Sequence, residues 1–368
     1  MEPLKVVQVG LGPVGIAIAR LVAGRPGLRL VGGVDPAPGL AGRGLAEILG
    51  IEVKGAPVTS ALEQALEHLR PDIVLHATGS FLDDVAGQLR APLARGISVV
   101  STCEELAYPF YRHPALAREL DDLALSRGAV LLGTGVNPGF VMDKLALTLL
   151  GACRSARRVR VLRVVDASTR RETLQRKIGA GLSTTEFEEK RRTGRFGHIG
   201  LAESAHMLAD AMGVPPALSA EVMRDPSPEV HPAPLLPGAG ESAPARLPAA
   251  PGERVLTETF EPHVAEDLVV TPFVRVEAGR VVGIEQSAVI TSSGAERVRL
   301  ELRMYVGAKN PIDAVSIEGE PPIEATIAGG VHGDEGTAAV VVNAAGLVRS
   351  LYPGLRTMLD VPLRISGF

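Results

Sequence analysis

The chain has 368 residues, 46% of them hydrophobic and only 3% aromatic with no Trp, and a formal charge of −4. This composition supplies aliphatic cores for about two domains, and the mild acidity without any long basic run argues against nucleic acid or an anionic membrane as a partner. Cys103 and Cys153 stand outside CxxC or metal-ligand spacing, and neither a signal-peptide start nor a long apolar run occurs. A reduced, cytoplasmic chain without a catalytic metal, a disulfide framework or a membrane span is therefore expected.

Short apolar runs at Lys5–Val9, Leu28–Val34, Ile73–Ala77, Ile97–Ser101 and Ala129–Leu132 alternate with helical patterns at Pro13–Ala23, Leu62–Leu69, Phe81–Ala94 and Pro114–Ser126. That alternation predicts a parallel sheet covered on both faces. Between the first strand and helix stands Gly10-Leu11-Gly12-Pro13-Val14-Gly15, and Asp35 closes the second strand twenty residues beyond Gly15. In a dinucleotide-binding turn Gly10 permits the tight bend, Gly12 lets the backbone approach a pyrophosphate, and Gly15 lets helix and strand pack closely. The helix opens at Pro13, and its free N–H groups from Val14 onward are offered to phosphates. Asp35 would accept from the adenosine ribose and repel a 2′-phosphate, which predicts NAD; a swing of Arg43 leaves NADP open. Thr78, Gly79 and Ser80 follow the third strand, at the nicotinamide half of such a cofactor.

Glu104 and Glu105 follow the fourth strand, in the crevice where ligands of these sheets bind. Like charge and desolvation there raise at least one pKa. A solvated helix start is the plain alternative, more so for Glu105. The next strand ends in Gly133–Phe140, where the Asn137 amide suits a nicotinamide carboxamide or a substrate, and Phe140 suits a pocket wall or the core.

Beyond this the pattern changes. Val159–Val165 reads as a strand, Thr184–Thr193 and Leu201–Met212 as helices, and the Pro/Ala/Gly-rich His231–Gly252 as a surface loop. Alternation at Leu268–Val276, Val281–Thr291, Arg297–Val306 and Ala314–Glu318 predicts an antiparallel meander with one exposed face, followed by a helix at Gly336–Leu351 and a tail at Leu355–Leu363. The expected fold class is α/β. A doubly wound Rossmann sheet occupies about 1–145, rejoined by the C-terminal helix at about 331–368. A second α+β domain with the antiparallel sheet, for substrate binding and dimerisation, occupies about 146–330. An apolar sheet without an obvious second layer predicts a homodimer. His198 lies between Gly197 and Gly200, where backbone can approach a ligand, and is open to a pocket or a structural role. His68, His76, His113, His206, His231 and His263 read as structural or solvated, and Asp334 reads as the N-cap of the last helix.

Taken in order, Gly10–Gly15, Glu104-Glu105-Leu106-Ala107-Tyr108-Pro109, Gly133–Phe140, Gly197-His198-Ile199-Gly200 with Glu203-Ser204, and Val331-His332-Gly333-Asp334 carry a family likeness over nearly the whole chain. The chain resembles the native amine dehydrogenases and 2,4-diaminopentanoate dehydrogenase, relatives of dihydrodipicolinate reductase. The resemblance implies NAD(P)-linked interconversion of an amine with a ketone or aldehyde and ammonia. It also implies an acid/base glutamate at Glu104, ambiguous by one residue, and a pocket that includes Phe140 and His198. The chain departs from the family at His231–Gly252 and at Gln286-Ser287-Ala288, where some relatives carry His. The chemistry agrees independently: an ionised carboxylate stabilises a cationic iminium and accepts a proton from an ammonium. Other readings are an imine reductase or alcohol dehydrogenase of the same fold, and a non-catalytic dinucleotide sensor.

Overall fold

The computed structural model describes residues 2–215 and 254–363; the expected loop at His231–Gly252 lies outside them. The first layer system is built from β1 (Leu4–Val9), β2 (Leu28–Val34), β3 (Ile73–His76), β4 (Ser98–Ser101) and β5 (Val130–Gly133), with α1 (Pro13–Gly24), α2 (Leu45–Leu49), α3 (Leu62–Leu69), α4 (Leu82–Leu93) and α5 (Pro114–Ser126), and α6 (Lys144–Leu150) leads on to the second sheet. After β6 (Ser155–Asp166) come α7 (Glu172–Lys177), α8 (Thr184–Arg191) and α9 (Leu201–Ala211). The strands β7 (Arg254–Val264), β8 (Val269–Val270), β9 (Arg275–Val276), β10 (Val281–Ser292), β11 (Ala295–Tyr305), β12 (Ile312–Glu320) and β13 (Ile323–Ala328) follow, then α10 (Gly333–Leu347) and β14 (Gly354–Arg356).

The first sheet is parallel in the order β14-β5-β4-β3-β1-β2. Its strands are mainly apolar because successive side chains enter two different cores. Val6, Ile73 and Leu132 pack with Ile18 of α1 and Val341 of α10. Val7, Val74 and Leu131 pack with Leu66, Leu89 and Leu120 of α3, α4 and α5. The tail contributes β14, whose Leu355 fills the second of these cores.

The second sheet runs β13-β12-β6-β11-β10-β7. It is mixed rather than antiparallel: β6 lies parallel to β11, with Val159 beside Val298 and Val161 beside Leu300. Only hairpin-linked neighbours are obliged to be antiparallel, and β6 reaches its place from far along the chain. The expected strand at Leu268–Val276 breaks around Pro272 into the short pair β8 and β9. This sheet also has a second layer. Ala146 of α6 and Leu201 and Leu208 of α9 cover Val161, Ala288 and Leu300. The opposite face carries exposed Arg160 and Arg303 beside partly buried Leu162. Among the described residues no helix is long and apolar enough to cross a membrane.

Candidate active site

The turn from β1 to α1 has the shape the glycines require. Gly10 takes φ +84°, and a Cβ on Gly15 would lie 1.9 Å from the Gly10 carbonyl oxygen. At Gly12 a Cβ would meet nothing within 4 Å, leaving the approach to the helix start open. Pro13 is the first residue of α1, and no side chain caps the helix. The turn is braced from two sides. Buried Gln8 donates through Nε2 to the Gly10 carbonyl at 3.0 Å. Asp35 accepts from the N–H groups of Leu11 at 2.6 Å and Ala37 at 2.8 Å. The residues present fit a dinucleotide: open backbone at the helix start, and a carboxylate at the end of β2 with acceptor capacity left.

Beyond the carboxyl ends of β3, β4 and β5 a cavity of about 380 Å³ opens between the two sheets. Val14, Thr78, Gly79, Ser80, Glu104 and Asn137 line it from the first sheet. His198 lines it from the loop before α9. Phe140 is not among the residues lining it; it stands past the Pro138-Gly139 turn, whose Gly139 N–H is tied back to Asp143 at 2.8 Å. The Thr78 hydroxyl is engaged by His76 at 2.7 Å and Gln88 at 2.8 Å, so Thr78 offers the cavity chiefly its backbone. Both polar atoms of the Asn137 amide are buried without a partner.

The two adjacent glutamates have different surroundings. Glu105 is 8% exposed; its Oε2 accepts from the Leu82 N–H at 2.7 Å, at the start of α4, and lies 2.9 Å from His113 Nε2. Glu104 faces the cavity. Burial pushes its carboxyl above the ordinary range, while the charge of Lys177 and a hydrogen bond from Ser80 pull the other way. His198 is driven down to about 3 by burial, with Lys177 and Arg163 acting in the same direction, so it stands neutral.

The far wall is cationic, and its members belong to no sequence motif. Arg163, Arg170, Arg171 and Lys177 all line the cavity. Arg163 was legible: it falls in phase with Val161 and Val165, on the inward side of β6, where it bonds Asp313 at 3.1 Å and the Val331 carbonyl at 2.7 Å. Arg170 meets Asp334 at 2.8 Å. Asp334 is therefore an ion-pair partner rather than the N-cap; His332 caps α10, accepting from the Glu335 N–H at 3.3 Å. Lys177, at the end of a six-residue helix, gives no pattern signal. Near by, fully buried Glu203 is raised to about 7 by burial against the pull of Arg112 at 2.8 Å. Ser204 donates to Asp143 at 2.7 Å, linking α9 to the turn that carries Asn137.

The family model of the 2,4-diaminopentanoate dehydrogenase C-terminal domain matches residues 140–225 and 253–366, more than half of the chain. The chain belongs to the 2,4-diaminopentanoate dehydrogenase family. It is 28% identical to the 2,4-diaminopentanoate dehydrogenase of Acetoanaerobium sticklandii, over 99% of this chain and 94% of that protein. It is 26% identical to an amine dehydrogenase of Streptomyces virginiae, over 57% of this chain and 60% of that one. The fold is similar to that of an amine dehydrogenase from Mycobacterium smegmatis, with a TM-score of 0.78 at 23% identity, covering 99% and 97% of the two chains. As a family member the chain is an NAD(P)-dependent oxidoreductase acting on amines.

Proposed function

We propose that the chain catalyses the reversible oxidation of an amine to a ketone or aldehyde and ammonia, with NAD as hydride acceptor and Glu104 as acid/base. The observation that carries this reading is the contrast between the two glutamates: Glu104 faces the cavity between the sheets, while Glu105 is bonded to the start of α4 and to His113. A bound dinucleotide would supply the hydride acceptor for the carbon that bears nitrogen. Ionised Glu104 takes a proton from the substrate ammonium, leaving the neutral amine that can lose hydride. Once that proton has passed to solvent, Glu104 is again ionised and faces the cationic iminium, whose charge it stabilises. Addition of water and loss of ammonia complete the reaction, and Glu104 returns its proton in the reverse direction. Neutral His198 places no further positive charge beside the iminium. The unpartnered Asn137 amide can hold a carboxamide or a polar substrate group through both of its atoms.

NAD over NADP follows from Asp35 and from Arg43. Arg43, a cation that could swing toward a 2′-phosphate, is paired with Glu47 at 3.0 Å. The deciding experiment follows NADH oxidation across a panel of ketones and aldehydes with and without ammonia. Ammonia-dependent turnover is expected. Turnover that ignores ammonia would make this an alcohol dehydrogenase, and none under either condition would make it a sensor.

A further inference from the structure

We infer that Gln286 is a positioning residue for this reaction, setting the place of the His198 ring in the cavity by clamping the His198 main chain. Gln286 Oε1 accepts from the His198 N–H at 2.8 Å, and Gln286 Nε2 donates to the His198 carbonyl at 3.0 Å. One side-chain amide thus satisfies both polar groups of one residue, as a neighbouring strand would. The clamp is anchored in the interior of β10, between Phe260 of β7 and Leu302 of β11 in register. The loop is closed against it: Gly197 takes φ +93°, and a Cβ there would lie 2.5 Å from the Phe260 ring and 3.2 Å from Gln286 Oε1. The His198 ring has no comparable tether. Its Nε2 is buried in the cavity without a partner. A ring held by packing alone stands wherever its backbone is placed, and a rigid strand is a better anchor for such a group than the loop that bears it. Gln286 itself is not in the cavity lining, so it acts through His198.

This inference rests on the proposed amine-oxidising role of the cavity, and its test separates the two. Gln286→Met keeps the length of the side chain and removes both hydrogen bonds. Expected are a rise in ketone KM and a fall in kcat/KM of about 10- to 100-fold, the scale for misplacing a pocket group by about 1 Å. The NADH dissociation constant should not change. In a His198→Ala background the same substitution should add little, because there is no ring left to position. Equal losses in both backgrounds, or an unchanged kcat/KM in the first, would overturn the inference. Should Gln286→Met not fold, Gln286→Glu, which keeps the acceptor and loses the donor, carries the same comparison. A second readout needs no turnover: the ring nitrogen resonances of His198, assigned by their loss in His198→Ala, should move in the Gln286 variant. Unmoved resonances overturn the clamp. A wild type inert toward every ketone, with resonances that do move, overturns the amine reading alone.

Discussion

The two walls of the cavity are built on different physical plans. The wall from the first sheet consists of strand ends and tight turns, offering backbone and small groups at Gly79, Ser80 and Asn137, and one carboxylate, Glu104. The wall from the second half is made of long cations, Arg163, Arg170, Arg171 and Lys177, with a neutral imidazole. Three of these cations are answered by carboxylates, Arg163 by Asp313, and Arg170 and Arg171 by a shared Asp334. A wall of turns is fixed by chain topology and suits a common cofactor. A wall of side chains on a short helix, a strand and a loop can change without changing the fold, which is where substrate choice would reside.

The largest effect that tests this division is at Glu104. Glu104→Gln keeps the shape and removes charge and base. Turnover should fall by about 10²–10⁴-fold from the acid/base loss alone, while the NADH dissociation constant stays put. Glu105→Gln should do the reverse, costing about 1–2 kcal/mol of stability through a weaker bond at the start of α4 while leaving turnover near normal. Kinetics and denaturant unfolding on the pair decide the matter. Collapse of turnover in the Glu105 variant alone would move the chemistry to the other carboxylate and break the comparison.

A smaller effect is expected at the other end of the first wall. Asp35→Ala removes the acceptor for the Leu11 N–H as well as the acceptor proposed for the ribose. Each charge-assisted hydrogen bond contributes about 1.5–3 kcal/mol, so NADH affinity should drop at least about tenfold. Affinity for NADPH should drop less, narrowing the preference. Titration of both dinucleotides checks this, and an unchanged ratio would remove Asp35 as the selector.

How much of this was legible in the sequence also differs between the walls. In the first sheet every expected strand appears within a residue or two, because burial on both faces makes a strand a continuous apolar run bounded by turns. The tail is the exception: Gly354–Arg356 is too short to signal a strand. In the second half the central strands β6, β10, β11 and β12 were readable by alternation. The edge strands β7 and β13 were not, since an edge strand buries less. Thr257, Glu258, Thr259, Glu261 and Pro262 give β7 the look of a loop. The glycine turn, Asp35, Glu104, Asn137 and His198 were visible because each sits at a strand end or between glycines. Lys177 and the Gln286 clamp were not, because their relation to the cavity exists only after β6, β10 and the loop before α9 are brought together.

The smallest effect is the most direct link between the two walls, the influence of Lys177 on Glu104. Burial raises the Glu104 carboxyl above its ordinary value of 4.5; Lys177 is the first of the opposing influences, and the charge of Glu105 adds a little to the rise. Only ionised Glu104 serves as base, so kcat/KM for amine oxidation should be full above its folded-state pKa and fall as pH drops through it. The acid limb therefore lies above the ordinary carboxylate range. Lys177→Met removes a charge that favours the ionised form, so the limb should move further up in pH. Lys177 is exposed, and screening by water and salt keeps the shift small and lets added salt mimic it in the wild type. Well above the limb the two proteins should differ only in substrate KM, since the carboxylate is ionised in both. The profile of kcat/KM against pH, measured at low and high ionic strength, checks both parts. A limb that stays in place in Lys177→Met, or moves down, would separate the walls electrostatically and leave the ionisation of Glu104 to its own side of the cavity.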